Sequence, residues 1–267
     1  MQEIRLQGYR MTYEDRGNGI SLVLIHGFPL NHLLWKPQWD GLSGIARIIA
    51  PDLRGHGLSD PLEGPYPMDL LAQDCLELLD RLGISEPVVL GGLSMGGYVA
   101  FSFYRQFPER VRALILAATR AGADSPEGKA NRETSARLAS QQGVSAVIEA
   151  MLPKMMAPQT YRTHPELVQA ARDIMETTSV EGVIGAQLGM KDRPDSFPVL
   201  SAIDKPTLIL HGADDQLVPV KEAEAMHAAI RHSQLQILPS AGHLLNLEQP
   251  QMFNQAVGRF LESLLRE

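Results

Sequence analysis

Short apolar, β-branched runs recur along the chain at Ser21–Ile25, Ala46–Ala50, Val88–Leu90, Val111–Leu116, Thr207–Leu210 and Leu235–Leu238. Several end in Gly or Pro, and most are separated by stretches with helical spacing. That alternation predicts a mostly parallel sheet covered by helices. Glu3–Leu6 and Met11–Asp15, on either side of Gly8-Tyr9, predict an antiparallel hairpin that starts the sheet and brings it to eight strands. A first core helix is expected to begin near Asn31. Between Met68 and Leu82, residues Leu70, Leu71, Cys75, Leu78, Leu79 and Leu82 share one helical face, with Gly83 as a stop.

The strand rhythm breaks after Thr119 and resumes only at Thr207. In between, Val144, Val147, Ile148, Met151 and Leu152 are helically spaced, as are Leu167, Val168, Ala171, Ile174 and Met175, and again Val180, Val183, Ile184 and Leu188. The expected organisation is therefore a core of residues 1–119 and 197–267, interrupted by a helical cap at 120–196.

Chemistry-bearing residues gather where predicted strands end. Gly92-Leu93-Ser94-Met95-Gly96-Gly97 follows Val88-Val89-Leu90 and precedes a helix-compatible run from Tyr98 to Phe107. A Gly-x-Ser-x-Gly at a strand-to-helix junction relieves crowding on both sides of the serine and pushes Ser94 out above the sheet. The helix behind it aims unpaired N–H groups, Met95's among them, at the space where an oxyanion would form. The plainer reading is an ordinary Gly/Ser turn. Leu24-Ile25-His26-Gly27-Phe28-Pro29 also closes a strand, and the backbone N–H of Phe28 offers a second donor to the same oxyanion; alternatively these are turn residues packed on the sheet edge.

His211-Gly212-Ala213-Asp214-Asp215-Gln216-Leu217-Val218-Pro219 places two aspartates at the carboxyl edge of the sheet, and either serves equally well as a cap for a helix starting near Pro219. Ser240-Ala241-Gly242-His243 follows the last strand. A lone loop histidine usually carries no chemistry, so the reading of His243 rests on the order Ser, Asp, His.

Composition narrows the classes. Twenty-four Lys and Arg against 31 Asp and Glu give a net charge of −7 in 267 residues, with no basic run to neutralise phosphates, so nucleic acid is not an expected partner. Cys75 is the sole cysteine, which excludes an internal disulfide and a multi-cysteine metal site. His26, His56, His211 and Asp52 lack the spacing of a helical metal site, and no metal is expected. No apolar run is long enough to span a bilayer, and the first residues lack the pattern of a secretory signal; a membrane partner is not expected and a cytoplasmic location is. The covering helices leave room for a homo-oligomer.

These four motifs, with Asp52-Leu53-Arg54-Gly55-His56-Gly57-Leu58-Ser59-Asp60 between the first two, resemble the α/β-hydrolase superfamily over essentially the whole chain. The branch they look most like holds esterases, lactonases and cofactor-free haloperoxidases or perhydrolases, and Thr119-Arg120-Ala121-Gly122-Ala123-Asp124 is similar to enol-lactonase relatives. The resemblance implies an α/β-hydrolase fold with a cap and a small ester or lactone as substrate. It implies Ser94, Asp215 and His243 as a triad, Phe28 and Met95 as oxyanion donors, and no cofactor. In that pattern the acid precedes a stretch like Gln216-Leu217-Val218-Pro219, which selects Asp215 over Asp214. Epoxide hydrolases and dehalogenases have aspartate where Ser94 stands, and prolyl iminopeptidases typically have tryptophan at Met95. Perhydrolysis and a non-catalytic receptor for a small ligand are the competing functions.

Overall fold

The computed structural model describes residues 1–266. Its eight strands are β1 (Gln2–Leu6), β2 (Tyr9–Arg16), β3 (Ile20–Ile25), β4 (Ala46–Pro51), β5 (Val88–Leu93), β6 (Val111–Ala117), β7 (Thr207–Gly212) and β8 (Ser233–Leu238). They form one sheet in the order β1-β2-β4-β3-β5-β6-β7-β8. β2 pairs antiparallel with both β1 and β4, and every later pairing is parallel. This is the mostly parallel sheet that the apolar runs predict. The central strand β5 is buried along its whole length, as a strand covered on both faces should be. Each fully buried Val or Leu there contributes about 2 kcal/mol.

The hairpin turn is tighter than the sequence suggested. Tyr9, expected in the turn, pairs with Leu6, and only Gln7 and Gly8 connect the strands, Gly8 taking φ +90°. A two-residue link of this kind needs a left-handed position, which glycine supplies at no steric cost. The first core helix does begin near Asn31, but as a 3-10 turn. The Asn31 side chain accepts from the Leu33 N–H at 2.8 Å and caps this turn at His32–Trp35, after which α1 runs Lys36–Leu42.

Helices α2 (Met68–Arg81) and α3 (Met95–Gln106) pack together on one face of the sheet. Between β6 and β7 the chain is helical: α4 (Pro126–Gln142), α5 (Val144–Met151), α6 (Thr160–Thr163), α7 (Pro165–Glu176), α8 (Val180–Lys191) and α9 (Phe197–Leu200). Then follow α10 (Val220–Ala229), α11 (Leu245–Glu248) and α12 (Pro250–Leu264), the last packing against α1. Apolar clusters fill both faces of the sheet, one built around α2 and α3, the other around α1 and α12.

The 17-residue α4 was not anticipated, because it has almost no apolar face: only Ala136 and Ala139 are buried. Its signals are terminal. Ser125 caps the Gly128 N–H, Pro126 occupies the first turn, and Gly143 with φ +82° ends it. α4 lies along α8.

Strand order reverses at β3, which has β4 on one side and β5 on the other. The loops leaving β3 and β5 therefore diverge from a shared crevice at the carboxyl edge, where open α/β sheets hold their ligands.

Candidate active site

Ser94 sits between β5 and α3 with φ +54° and ψ −110°, a conformation that strains any residue with a Cβ. The neighbouring glycines make it affordable. A Cβ on Gly92 would stand 2.2 Å from the Gly96 carbonyl, and one on Gly96 would stand 2.2 Å from the Ile25 carbonyl oxygen. Only hydrogen fits in either gap. The turn is tied down by the Ser94 N–H donating to the Ala117 carbonyl at 2.9 Å and by Thr119 Oγ1 donating to the Ser94 carbonyl at 2.8 Å.

The β3 loop runs beside it, with Ile25 opposite Gly92 in the register. Among the described residues, neither the Phe28 nor the Met95 N–H donates to a protein acceptor. Beneath the loop, Asp52 is fully buried. It accepts from the His32 N–H at 2.7 Å, from the Leu58 N–H at 3.0 Å, and meets His32 Nδ1 at 2.6 Å. His26 Nε2 accepts from the Leu53 N–H at 3.0 Å, and His56 Nδ1 lies 2.8 Å from the Arg54 carbonyl. Burial drives both imidazoles toward the neutral form, to a pKa of about 4 for His26 and about 3 for His56. These histidines brace the loop.

At the far side of the sheet edge, His243 follows β8 and Asp215 follows β7. His243 Nδ1 is 2.8 Å from Asp215 Oδ2, while Asp215 Oδ1 accepts from the Leu217 and Val218 N–H groups at 2.8 and 3.0 Å. Burial works against the Asp215 charge, but the charge and hydrogen bond of His243 and the two backbone donors outweigh it and hold the carboxyl below its ordinary range. Asp214 is exposed and, among the described residues, accepts only from Gln159, at 3.2 Å. Of the two aspartates, it is Asp215 that reaches His243.

Ser94 and His243 share a cavity of about 160 Å³, walled by Phe28, Tyr98, Met151, Met190, Leu217 and Val218, with Arg120 and Arg132 at one side. No hydrogen bond joins Ser94 Oγ to His243 among the described residues; the two front the same space, and His243 Nε2 is its unengaged ring nitrogen. Met155, Met156 and Met175 are buried in the apolar cluster on the α1 and α12 face of the sheet.

Several residues at the site escaped the sequence reading. Glu248, on α11, accepts from the Gly242 N–H at 2.7 Å, the Ala157 N–H at 2.8 Å and Thr160 Oγ1 at 2.6 Å, pinning the His243 loop to the helical segment. Tyr98 follows the serine by one helical turn, and its position in α3 is the signal that would have placed it at the cavity. Arg132 is carried in by α4, the helix that hydrophobic periodicity does not reveal.

The geometry of strand order, strained serine and carboxyl-edge cavity defines a class, and comparison with known proteins identifies it. Residues 20–250 match the family described as alpha/beta hydrolase fold, and the chain belongs to that family. It is a hydrolase of that fold. The chain is 40% identical to a thermophilic esterase from Thermogutta terrifontis, solved with malate bound, with a TM-score of 0.96 and 99% of each chain covered. It is 31% identical over 237 residues to 3-oxoadipate enol-lactonase 2 of Acinetobacter baylyi, covering 89% of this chain and 86% of that protein. It is also 28% identical to the enol-lactonase from Burkholderia xenovorans, with a TM-score of 0.91, covering 98% and 100% of the two chains. No helix among the described residues is long and apolar enough to cross a membrane.

Proposed function

We propose that the protein hydrolyses a small carboxylic ester, or its cyclic form, a lactone, through an acyl-enzyme on Ser94. The observation that carries this reading is the His243–Asp215 pair opening onto the same small cavity as a strained, glycine-flanked serine. In the reaction, His243 Nε2 takes the Ser94 proton as Oγ bonds to the ester carbonyl carbon. The carbonyl oxygen becomes an oxyanion held by the Phe28 and Met95 N–H groups, which have no protein acceptor to give up. Asp215 fixes the ring through Nδ1 and stabilises its cationic form. Collapse breaks the bond to the alcohol oxygen, which leaves with the proton from His243. Water, deprotonated by the same nitrogen, then attacks the acyl carbon, and the acid departs as the proton returns to Ser94 Oγ.

The helical segment 120–196 acts as the cap of this site, supplying Arg120, Arg132, Met151 and Met190 to the cavity wall. The likeness to esterases and enol-lactonases supports the ester and lactone reading. The test is the initial rate across short-chain esters and simple lactones with Ser94→Ala as the blank. Turnover should fall by several orders of magnitude in the variant while its circular dichroism is unchanged. Retained activity in Ser94→Ala would remove serine from the mechanism. Peracid formation from added hydrogen peroxide, faster than ester hydrolysis, would make the protein a perhydrolase instead.

A further inference from the structure

We propose that Arg120 and Arg132 form a carboxylate-binding subsite, so that the preferred substrate is a short ester or lactone bearing a second, free carboxylate. This rests on the hydrolase reading above and deepens it.

The cavity wall is otherwise apolar: apart from Ser94, His243 and the Tyr98 hydroxyl, its only polar side chains are these two arginines. Their charge is not cancelled locally. Asp124, whose side chain is 1% exposed, takes guanidinium contacts from Arg120, from Arg132 Nε at 3.0 Å and from Arg193 Nη1 at 2.9 Å. Burial disfavours the Asp124 charge, yet the Arg193 hydrogen bond and the Arg132 charge hold its carboxyl down at about 2, so it is an anion throughout the neutral range. Three cations share that one anion, and none of them pairs with another carboxylate among the described residues. The cluster carries two positive charges in excess, on a chain whose net charge is −7.

The three arginines divide by role. Arg193 is spent inside the protein: its side chain is 3% exposed, it donates to the Met190 and Gly122 carbonyls at 2.9 Å each, and it lies 4.0 Å over the Tyr98 ring. Arg120 and Arg132 keep 29% and 21% of their side-chain surface and both reach the cavity. Arg132 Nη2 donates to no protein acceptor among the described residues. Unmet donors and surplus charge against an apolar wall are costly unless an anion completes them. A carboxylate does so with two parallel charge-assisted bonds.

Geometry also limits the length of the acid. The serine cavity, about 160 Å³, is well below the roughly 300 Å³ at which pockets for drug-sized ligands begin. Beyond the two arginines a shallower groove of about 410 Å³ continues along α4, lined by the same Arg120, Arg132, Met151 and Leu217. The guanidinium pair lines both the serine cavity and this groove.

The experiment compares monoethyl glutarate with ethyl pentanoate by pH-stat titration, using wild type, Arg120→Gln, Arg132→Gln and, as a control, Arg105→Gln, whose partner Asp69 is on the surface. Asp124 keeps two arginines in either cavity variant. The wild type should favour the charged ester in kcat/KM by about tenfold or more, the weight of one charge-assisted bond. That ratio should collapse toward one in both cavity variants and persist in Arg105→Gln. A wild-type preference for the neutral ester, or a ratio that survives both cavity substitutions, overturns the subsite and leaves the ester hydrolase standing. If neither ester is turned over above Ser94→Ala, the ester reading fails, and calorimetry with glutarate decides the subsite separately. Binding to Ser94→Ala that is lost on adding Arg132→Gln supports it, and no binding at millimolar glutarate overturns it.

Discussion

Asp214 and Asp215 are adjacent and chemically identical, yet the fold gives them opposite surroundings. Asp215 is held by two backbone N–H groups and an imidazole, Asp214 by one long contact to Gln159 at the surface. Asp215→Asn should therefore lower kcat by roughly 10³- to 10⁴-fold, since an amide presents the wrong partner to the His243 N–H, whereas Asp214→Asn should stay within about twofold. Steady-state kinetics on one ester ranks them, and the reverse order would move the acid by one residue. The composition of the loop left this choice open; a family pattern, not spacing, pointed to Asp215. Ser94, by contrast, was legible from local chemistry alone, because the glycines on either side leave physical traces in sequence: each stands where a methyl group would strike backbone 2.2 Å away. Arg132 left no comparable trace, since an arginine in a polar segment looks the same whether it faces water or a cavity.

At the scale of elements, hydrophobic period reveals what is packed on one face and little else. It found the strands and α2, which is buried along Leu71, Cys75, Leu78 and Leu79. It missed α4, whose position is set at its ends and by polar contacts: Arg132 to Gln187, Gln187 to Ser135 and Lys191 to Glu133 all link it to α8. α11 is too short to show a period, and its Glu248 joins elements far apart in sequence. Replacing that carboxylate by Gln substitutes an N–H₂ for one of the oxygens facing three donors. Glu248→Gln should cost about 1–2 kcal/mol in urea unfolding, because the half-buried setting moderates the loss. By loosening the His243 loop, the change should also lower kcat more than it raises KM. Unchanged kcat with lowered stability would confine Glu248 to a packing role.

For the whole molecule, the buried imidazoles under the β3 loop set the response to acid. His26 and His56 stay neutral in the fold to about pH 4 and 3, whereas in the unfolded chain each titrates near its ordinary 6.5. Between those values the unfolded state binds more protons than the native one, so stability is full above pH 6.5 and falls as pH drops. Two such groups give a slope approaching about 2.7 kcal/mol per pH unit between pH 6 and 4. Asp215 and Asp124, whose carboxyls lie below their ordinary range, extend the loss under pH 4, where the unfolded chain takes up their protons first. Urea midpoints at pH 7.5, 6 and 5 check the histidine part, and a flat profile would mean that these rings are hydrated in solution.

The separation of the candidate residues along the chain carries a consequence for synthesis. The serine turn is encoded in the first half, but Asp215 and His243 follow β7 and β8, behind the entire helical segment. On the proposed mechanism, a polypeptide still emerging from the ribosome, or one cut short before its last strand, displays a serine with no base to activate it. Unfinished copies are thus chemically silent, and hydrolysis switches on only when the sheet acquires its final edge.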